Sequence, residues 1–371
     1  MKKIFPLVVL LIITACSSGD DTPTPNNGNG GSGIAFDRAA MLTNLADNII
    51  IPSYQALNTN LNALVTSKDN FIATPNQANL DNVRAAWLTA YKSWQRVEAF
   101  NIGLAEQTAY YFQMNTYPVN TTDVENNIAS GSYDLTHPNN NDAVGFPALD
   151  YMLYGLDAID ASIVAKYDTD AQAADYKSYL SDLINQMQSL TQDILNDWTN
   201  NYRNTFVAST ANTATGAANM FINDYIFYYE KGLRANKIGI PAGNFSATPL
   251  PDRVEAYYNQ EVSKELALEA LDAVIDIFNG TKFNGTTAGE SFKTYLISLN
   301  RSDLATSIIN QLNAARGRIQ ELNANFTTQI NTDNTKMTLA YDALQTAVVL
   351  LKVDMLQAFD ISVDYQDADG D

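Results

Sequence analysis

The chain has 371 residues, of which 46% are hydrophobic, and its formal net charge is −19 at pH 7. That charge disfavours nucleic acid and anionic lipid as partners, because both are negatively charged, and favours cations or basic partners. The acidity also suits a protein that only needs to stay soluble outside the cytoplasm. Cys16 is the one cysteine, so no intramolecular disulfide can form.

Residues 1–15 have the pattern of a bacterial signal peptide. Lys2 and Lys3 precede an apolar run that is too short to span a bilayer and that ends in small residues. Cys16 follows directly and completes a sequence that resembles a lipobox, in which the cysteine is acylated. We therefore expect a lipoprotein of the outer membrane, held by a lipid at Cys16 on the periplasmic face or the cell surface.

Residues 16–33 contain no large apolar side chain and are rich in Ser, Gly, Asp, Thr, Pro and Asn. Such a composition cannot bury enough surface to offset its ordering entropy, so it predicts a disordered tether. Residues 34–371 are predicted to fold. They exceed the size at which a single hydrophobic core usually keeps growing, which favours two helical lobes. The turn-rich segment 239–251 is the predicted approximate junction.

Helical periodicity dominates the folded part of the chain. Apolar side chains spaced three or four apart form one stripe over residues 80–97 and another over 337–355. A helical pattern over 36–67 is expected to bend at Pro52, which lacks a backbone donor. Further helices are predicted at 147–155, 170–199, 214–237, 262–278 and 302–330. No segment alternates apolar and polar residues for long, so the predicted fold class is all-α, with two helical bundles.

Two tryptophans lie on the first stripe, Trp87 and Trp94. Aromatic side chains in this position suggest either a platform for a sugar or haem, or packing in the core. Helical spacing favours the core, and we predict that both side chains are buried.

Four segments carry recognisable patterns. Residues 84–100 include Trp87, Tyr91 and Glu98, and residues 145–155 read Gly-Phe-Pro-Ala-Leu-Asp-Tyr-Met-Leu-Tyr-Gly. The other two segments are 237–243 and the closing stretches 351–354 and 367–371. In this order they resemble the imelysin family, with 145–155 similar to its Gly-x-His-x-x-Glu signature. The resemblance implies a two-lobed helical protein outside the cytoplasm, often a lipoprotein linked to iron acquisition, and some members are described as metallopeptidases.

The signature positions here are Gly145, Pro147 and Asp150. In the family pattern, His and Glu at i and i+3 share one helical face and can hold a metal ion together. Proline offers no donor atom, and aspartate places its carboxylate on a shorter stem. Pro147 also suits the first turn of a helix, with Asp150 near the positive end of the dipole. A structural role and a remaining binding role both stay open.

A possible metal site combines Asp150 and Tyr154, which share a helical face, with Glu98 as the neighbour implied by the resemblance. Its ligands would be oxygen atoms, which favour calcium, magnesium or ferric iron over zinc. His137, the one histidine, is expected to be a solvated loop residue. The C-terminal aspartates resemble the start of a calcium loop but stop before its glutamate, so a frayed terminus is expected: Asp364, Asp367, Asp369 and Asp371.

The leading hypothesis is a non-catalytic, imelysin-like lipoprotein that binds its ligand in a cleft containing Glu98 and Asp150, in iron or metal uptake. One alternative is an imelysin-type metallopeptidase with oxygen-only metal ligands. Another is a protein-interaction module for a partner on the cell surface. Nucleophile-elbow, P-loop and dinucleotide-binding patterns are absent from the sequence.

Overall fold

The computed structural model describes residues 36–365, which fall within one compact unit. This part of the chain contains no β-strand, and only an isolated bridge joins Thr281 to Ala288. The all-α fold class is confirmed. None of the helices in this range has both the length and the hydrophobicity needed to cross a membrane. The division into two lobes near 239–251 stays a prediction.

Several predicted features lie outside the described residues. They are the signal peptide of residues 1–15, the lipidation site Cys16, the tether of residues 16–33, and the aspartates Asp367, Asp369 and Asp371. Asp364 is described and is exposed near the end of this range.

The first half of the fold contains eight α-helices within the described residues. They are α1 (Arg38–Asn44), α2 (Ile51–Ala73), α3 (Gln77–Gln95), α4 (Leu104–Gln107), α5 (Tyr110–Met114), α6 (Thr121–Ser130), α7 (Gly145–Asp150) and α8 (Asp160–Lys166). A 3₁₀-helix, Pro138–Ala143, precedes α7. Helix α2 packs along α3 and along the long helix α9 (Ala173–Asp197), and these three helices form the main bundle.

The second half continues from α9. Its further helices are α10 (Arg203–Ala208), α11 (Ala217–Phe227), α12 (Ile240–Ala242), α13 (Ser263–Asn279), α14 (Phe292–Ser298), α15 (Ser302–Gln320), α16 (Phe326–Val348) and α17 (Leu356–Phe359). A 3₁₀-helix, Pro251–Arg253, lies between α12 and α13. Helix α15 pairs with α16, and α13 joins this pair to α3 of the main bundle.

Five segments of π-helix extend α-helices of the described residues into longer rods, and all but Tyr151–Gly155 connect one α-helix directly to the next. They are Leu45–Ile50, Tyr151–Gly155, Trp198–Tyr202, Tyr228–Gly239 and Val349–Met355. The first lies directly before Pro52, where the predicted bend was placed. A proline interrupts the α-helical hydrogen-bond ladder, and a π-helical turn changes the register of that ladder without ending the rod.

The prediction of one helix over 302–330 is wrong. Helix α15 ends at Gln320, and α16 begins at Phe326 after a short break. Asn325 explains the break because its side chain accepts a hydrogen bond from the backbone N–H of Thr328, at 2.9 Å. An asparagine in this position caps a new helix instead of continuing the old one.

The predicted core positions of Trp87 and Trp94 are confirmed, since their side chains are 0% and 1% exposed. The indole N–H of Trp87 donates to the carbonyl oxygen of Phe146, at 3.2 Å. Tyr91, one turn further along α3, stacks on the Phe146 ring with centroids 4.4 Å apart. These contacts fix the signature helix α7 against α3.

Candidate functional site

A cluster of buried charges lies beyond the end of α3. The ammonium group of Lys237 lies 3.2 Å from Glu98 Oε2 and 2.8 and 2.9 Å from the two oxygens of Glu255. All three side chains are at most 2% exposed. Glu98 follows α3, Lys237 lies in the π-helical rod after α11, and Glu255 precedes α13. The ion pairs therefore join three distant parts of the chain.

Neutral side chains complete the hydrogen bonding of the two carboxylates. The amide nitrogen of Asn115 donates to Glu98 Oε1 at 2.8 Å and to Glu255 Oε1 at 2.9 Å. Gln95 donates to Glu255 Oε1 at 3.0 Å, and the hydroxyl of Tyr228 donates to Glu98 Oε2 at 3.1 Å. Every oxygen of both carboxylates therefore has a partner, as buried charged groups require.

The protonation states in this cluster follow from burial and charge. Burial alone would lower the pKa of Lys237, but Glu255 and Glu98 outweigh it and raise the pKa above its usual value. Burial, followed by the two carboxylates, raises the pKa of Tyr228 well above its usual value, so the hydroxyl remains a donor. Two carboxylates and one ammonium leave the cluster with one excess negative charge.

The signature helix α7 begins where only glycine fits. Gly145 has a φ of +73°, and a Cβ atom there would lie 2.2 Å from the carbonyl oxygen of Met114. Pro147 is the third residue of α7 and is buried. It therefore lies in the first helical turn, where its missing N–H removes no hydrogen bond of the helix.

Asp150, at the end of α7, holds a loop in place. Its Oδ2 accepts the backbone N–H of Tyr258 at 2.7 Å, and its Oδ1 accepts that of Asn259 at 2.9 Å. The side chain is almost fully buried, and this burial raises its pKa to about 7, although the two hydrogen bonds act in the opposite direction. The same loop carries Glu255, so Asp150 helps to position this member of the charged cluster.

Tyr154 has a different environment from Asp150. Its ring packs on Trp87, with centroids 5.5 Å apart, and beneath the guanidinium of Arg84, 4.3 Å from the ring centre. Burial raises the pKa of Tyr154 to about 12. No hydrogen bond between Tyr154 and either Glu98 or Asp150 is found in residues 36–365.

Two cavities lie beside these groups. One, of about 220 Å³, is lined by Pro147, Asp150 and Tyr117, and the other, of about 300 Å³, is lined by Glu98 and Tyr117. Tyr117 thus contributes to both. Its hydroxyl is buried, and no hydrogen-bond partner for it occurs in the described part of the chain. Burial raises its pKa well above the usual value, so the hydroxyl is un-ionised.

The described residues contain no group of three or more His, Cys, Asp or Glu side chains arranged to hold a metal ion. The oxygens of Glu98 and Asp150 are already occupied by Lys237 and by backbone donors. As arranged, the side chains therefore do not fit a metal ion, and a site at Glu98, Asp150 and Tyr154 stays a prediction. His137 is exposed and caps the 3₁₀-helix that follows it.

Sequence reasoning did not find Lys237, Glu255, Asn115 or Tyr117 as site residues. A signal existed for Lys237, because it follows a long apolar helical stretch and lies in a segment with a familial pattern. A lysine there must reach either solvent or a buried acid. Glu255 and Asn115 carry no comparable signal, since each lies in an irregular connection.

Comparisons with known proteins agree with this architecture. The model of the imelysin (peptidase M75) family matches residues 50–353. Iron-regulated protein A of Synechococcus elongatus is 21% identical over 259 residues, which cover 67% of this chain and 68% of that protein.

Two crystal structures share the fold. An imelysin-like protein from Psychrobacter arcticum 273-4 has a TM-score of 0.68 at 18% identity, covering 88% of this chain and 97% of that one. A putative iron-regulated protein A precursor from Parabacteroides distasonis ATCC 8503 has a TM-score of 0.67 at 19% identity, covering 85% and 94%. With the family model spanning most of its length, this chain belongs to the imelysin family.

Proposed function

We propose that this chain is a non-catalytic binding protein of the cell envelope that takes part in iron uptake. The observation that carries the non-catalytic part is the pairing of Lys237 with both Glu98 and Glu255 inside the protein. A metallopeptidase needs ligand side chains that are free to hold a metal ion, with a position left for water. Here the available carboxylates instead stabilise the fold.

The signature positions support the same role. Pro147 stands where the family pattern has its histidine, and it has no side-chain donor. Asp150 directs both carboxylate oxygens at backbone N–H groups of the loop that carries Glu255. A metal ion at Asp150 would have to displace these hydrogen bonds. The signature segment thus acts as a structural anchor in the proposed function.

The link to iron rests on the relatives. Two of them, from Synechococcus elongatus and Parabacteroides distasonis, carry the name iron-regulated protein A. The envelope location rests on residues 1–16, whose pattern predicts export and acylation at Cys16. We propose attachment to the outer membrane, with the helical unit free to contact a metal ion or a surface protein.

The experiment combines a binding assay with an activity assay on the purified chain. Titration calorimetry with ferric, ferrous, calcium and zinc ions is run on the wild type and on Asp150→Ala and Glu98→Gln variants. Cleavage of a denatured protein substrate is measured with and without a chelator. We expect no chelator-sensitive cleavage by the wild type. Loss of iron-dependent growth after deletion of the gene, restored by the wild-type chain, would support the uptake role.

The outcomes separate the three functions. Cleavage that requires Asp150 and stops with chelator would replace the binding role with an oxygen-ligated metallopeptidase. Tight metal binding that is lost in Asp150→Ala would place the metal ion itself in the cleft. Capture of a surface protein that persists in the Asp150→Ala variant with metal chelated would favour an interaction module.

A further inference from the structure

We propose that the cavity of about 300 Å³ beside Glu98 is a binding site for a small organic ammonium ion. This inference is independent of the proposed role in iron uptake, because it rests on the walls of this cavity and not on any metal ligand. Three features carry it: five aromatic rings in the lining, a partly buried carboxyl group to which the described residues supply no partner, and an excess of negative charge.

Five aromatic side chains contribute to the walls of the cavity. The rings come from α5, from the connection after it, and from the rod that α11 begins: Tyr111, Phe112, Tyr117, Phe227 and Tyr228. Phe112 is 50% exposed and Phe227 38% exposed, so these two rings are open to solvent. Faces of aromatic rings attract organic cations through their quadrupoles, and several such rings around one cavity form the usual recognition site for a quaternary ammonium group.

Asp224 supplies a carboxyl group to the same cavity. No hydrogen bond or ion pair to this carboxyl occurs within residues 36–365. Burial, followed by the charges of Glu106 and Asp364, raises its pKa to about 8. A partly buried carboxyl without a donor destabilises the folded chain when it is ionised. A cation in the cavity would remove that destabilisation.

The charges around the cavity are unbalanced. Lys231 also lines the wall, yet no ion pair joins it to Asp224 in the described part of the chain. The acids exceed the bases by two while Asp224 is protonated, and by three once it ionises: Glu98, Glu255, Glu106, Asp364 and Asp224 against Lys237 and Lys231. This balance repels anions and attracts cations.

The polar groups of the cavity suit an ammonium group better than a bare metal ion. Calcium takes six to eight oxygen ligands, which these aromatic walls do not supply. An ammonium group donates up to three hydrogen bonds and can rest its alkyl part on the rings. Acceptors in the lining include the carboxyl of Asp224 and the hydroxyl oxygen of Tyr117, to which the described residues supply no hydrogen-bond partner.

The test is titration calorimetry on the purified full-length chain with three probes. n-Butylammonium has N–H donors, choline is a cation without N–H donors, and 3,3-dimethylbutan-1-ol is a neutral molecule of the same shape as choline. The variants are Asp224→Asn and Tyr117→Phe. Asp193→Asn is the matched control because Asp193 lines a different cavity. Circular dichroism confirms that each variant is folded.

We expect both cations to bind at one site. The neutral alcohol should bind with an affinity at least about tenfold lower than that of choline. Asp224→Asn should weaken both cations by about tenfold, whereas Asp193→Asn should leave them unchanged. Tyr117→Phe should weaken n-butylammonium more than choline, because only the former donates a hydrogen bond. Equal binding of choline and the neutral alcohol, equal affinity in Asp224→Asn, or no saturable binding of either cation would overturn the proposal.

Discussion

Lys237 and Glu255 form a buried ion pair in which the ammonium nitrogen contacts both carboxylate oxygens, at 2.8 and 2.9 Å. The pair connects the long rod after α11 to the loop before α13. Removing one member of a buried pair leaves an uncompensated charge, and this costs far more than breaking a surface pair. The cluster is therefore a sensitive point of the fold.

Lys237→Met tests that sensitivity. Without the ammonium group, Glu98 and Glu255 face each other in the interior, and we expect a loss of about 3–5 kcal/mol in the free energy of unfolding at neutral pH. Urea unfolding followed by circular dichroism measures this loss.

The matched control is Lys92→Met. Lys92 pairs with Glu265 at the surface, where both side chains are substantially exposed. A surface pair contributes about 0–1 kcal/mol. Similar losses in the two lysine variants would contradict the central role of the buried cluster.

Asp150→Ala tests the anchoring of the loop that carries Glu255. The backbone N–H groups of Tyr258 and Asn259 lose their acceptor, and we expect a loss of about 2–4 kcal/mol in unfolding free energy. Hydrogen exchange should quicken at these two amides. Asp157→Ala is the control, because Asp157 accepts one backbone N–H from an exposed position. Unchanged exchange at both amides would exclude the anchoring role.

Asp224→Asn tests the pH dependence of stability. Burial raises the pKa of Asp224 from 3.8 to about 8 in the folded chain. The unfolded chain therefore releases this proton first, so the carboxyl lowers the unfolding free energy as pH rises from about 4 to about 8. The asparagine variant should lack this decrease and be more stable than the wild type above pH 8.

Unfolding curves of the wild type and Asp224→Asn, recorded across that pH range, measure the difference. Asp150 contributes a decrease of the same sign up to about pH 7, and it remains in the variant. The test is therefore the difference in unfolding free energy between the two proteins as a function of pH. A difference that stays constant across the range would show that Asp224 ionises normally.

Trp87→Ala tests the core packing of α3. The side chain is fully buried and donates a hydrogen bond to Phe146, so truncation should cost about 3–5 kcal/mol. Phe112→Ala is the comparison, because half of that ring is exposed and its removal should change stability by about 0.5 kcal/mol. A small effect of Trp87→Ala, measured by urea unfolding, would argue for a ligand platform instead.

The sequence predicts the long helices because their apolar spacing is a local property. The stripe through Trp87 and Trp94 became α3, and the last stripe became the end of α16 and the rod that follows. Short helices such as α4 and α5 contain only four or five residues, too few to show a period. The break before α16 depends on one capping side chain, Asn325. Its hydrogen bond to the backbone N–H of Thr328 leaves no trace in the spacing of apolar residues.

The candidate site is harder to predict because its contacts are tertiary. Glu98 was found through a resemblance, whereas its partner Lys237 lies more than one hundred residues away in the chain. Asp150 was recognised as a signature position, but its actual acceptor role involves backbone N–H groups. Every residue except proline carries such a group, so no sequence pattern marks these donors.

Tyr117 has one further consequence. Its side chain lines both the cavity of about 220 Å³ beside α7 and the cavity of about 300 Å³ beside Glu98. Among the described residues, Tyr117 is the only one common to the two linings. This side chain therefore forms part of the wall of each cavity. A smaller side chain at position 117 would therefore be expected to enlarge both cavities at once.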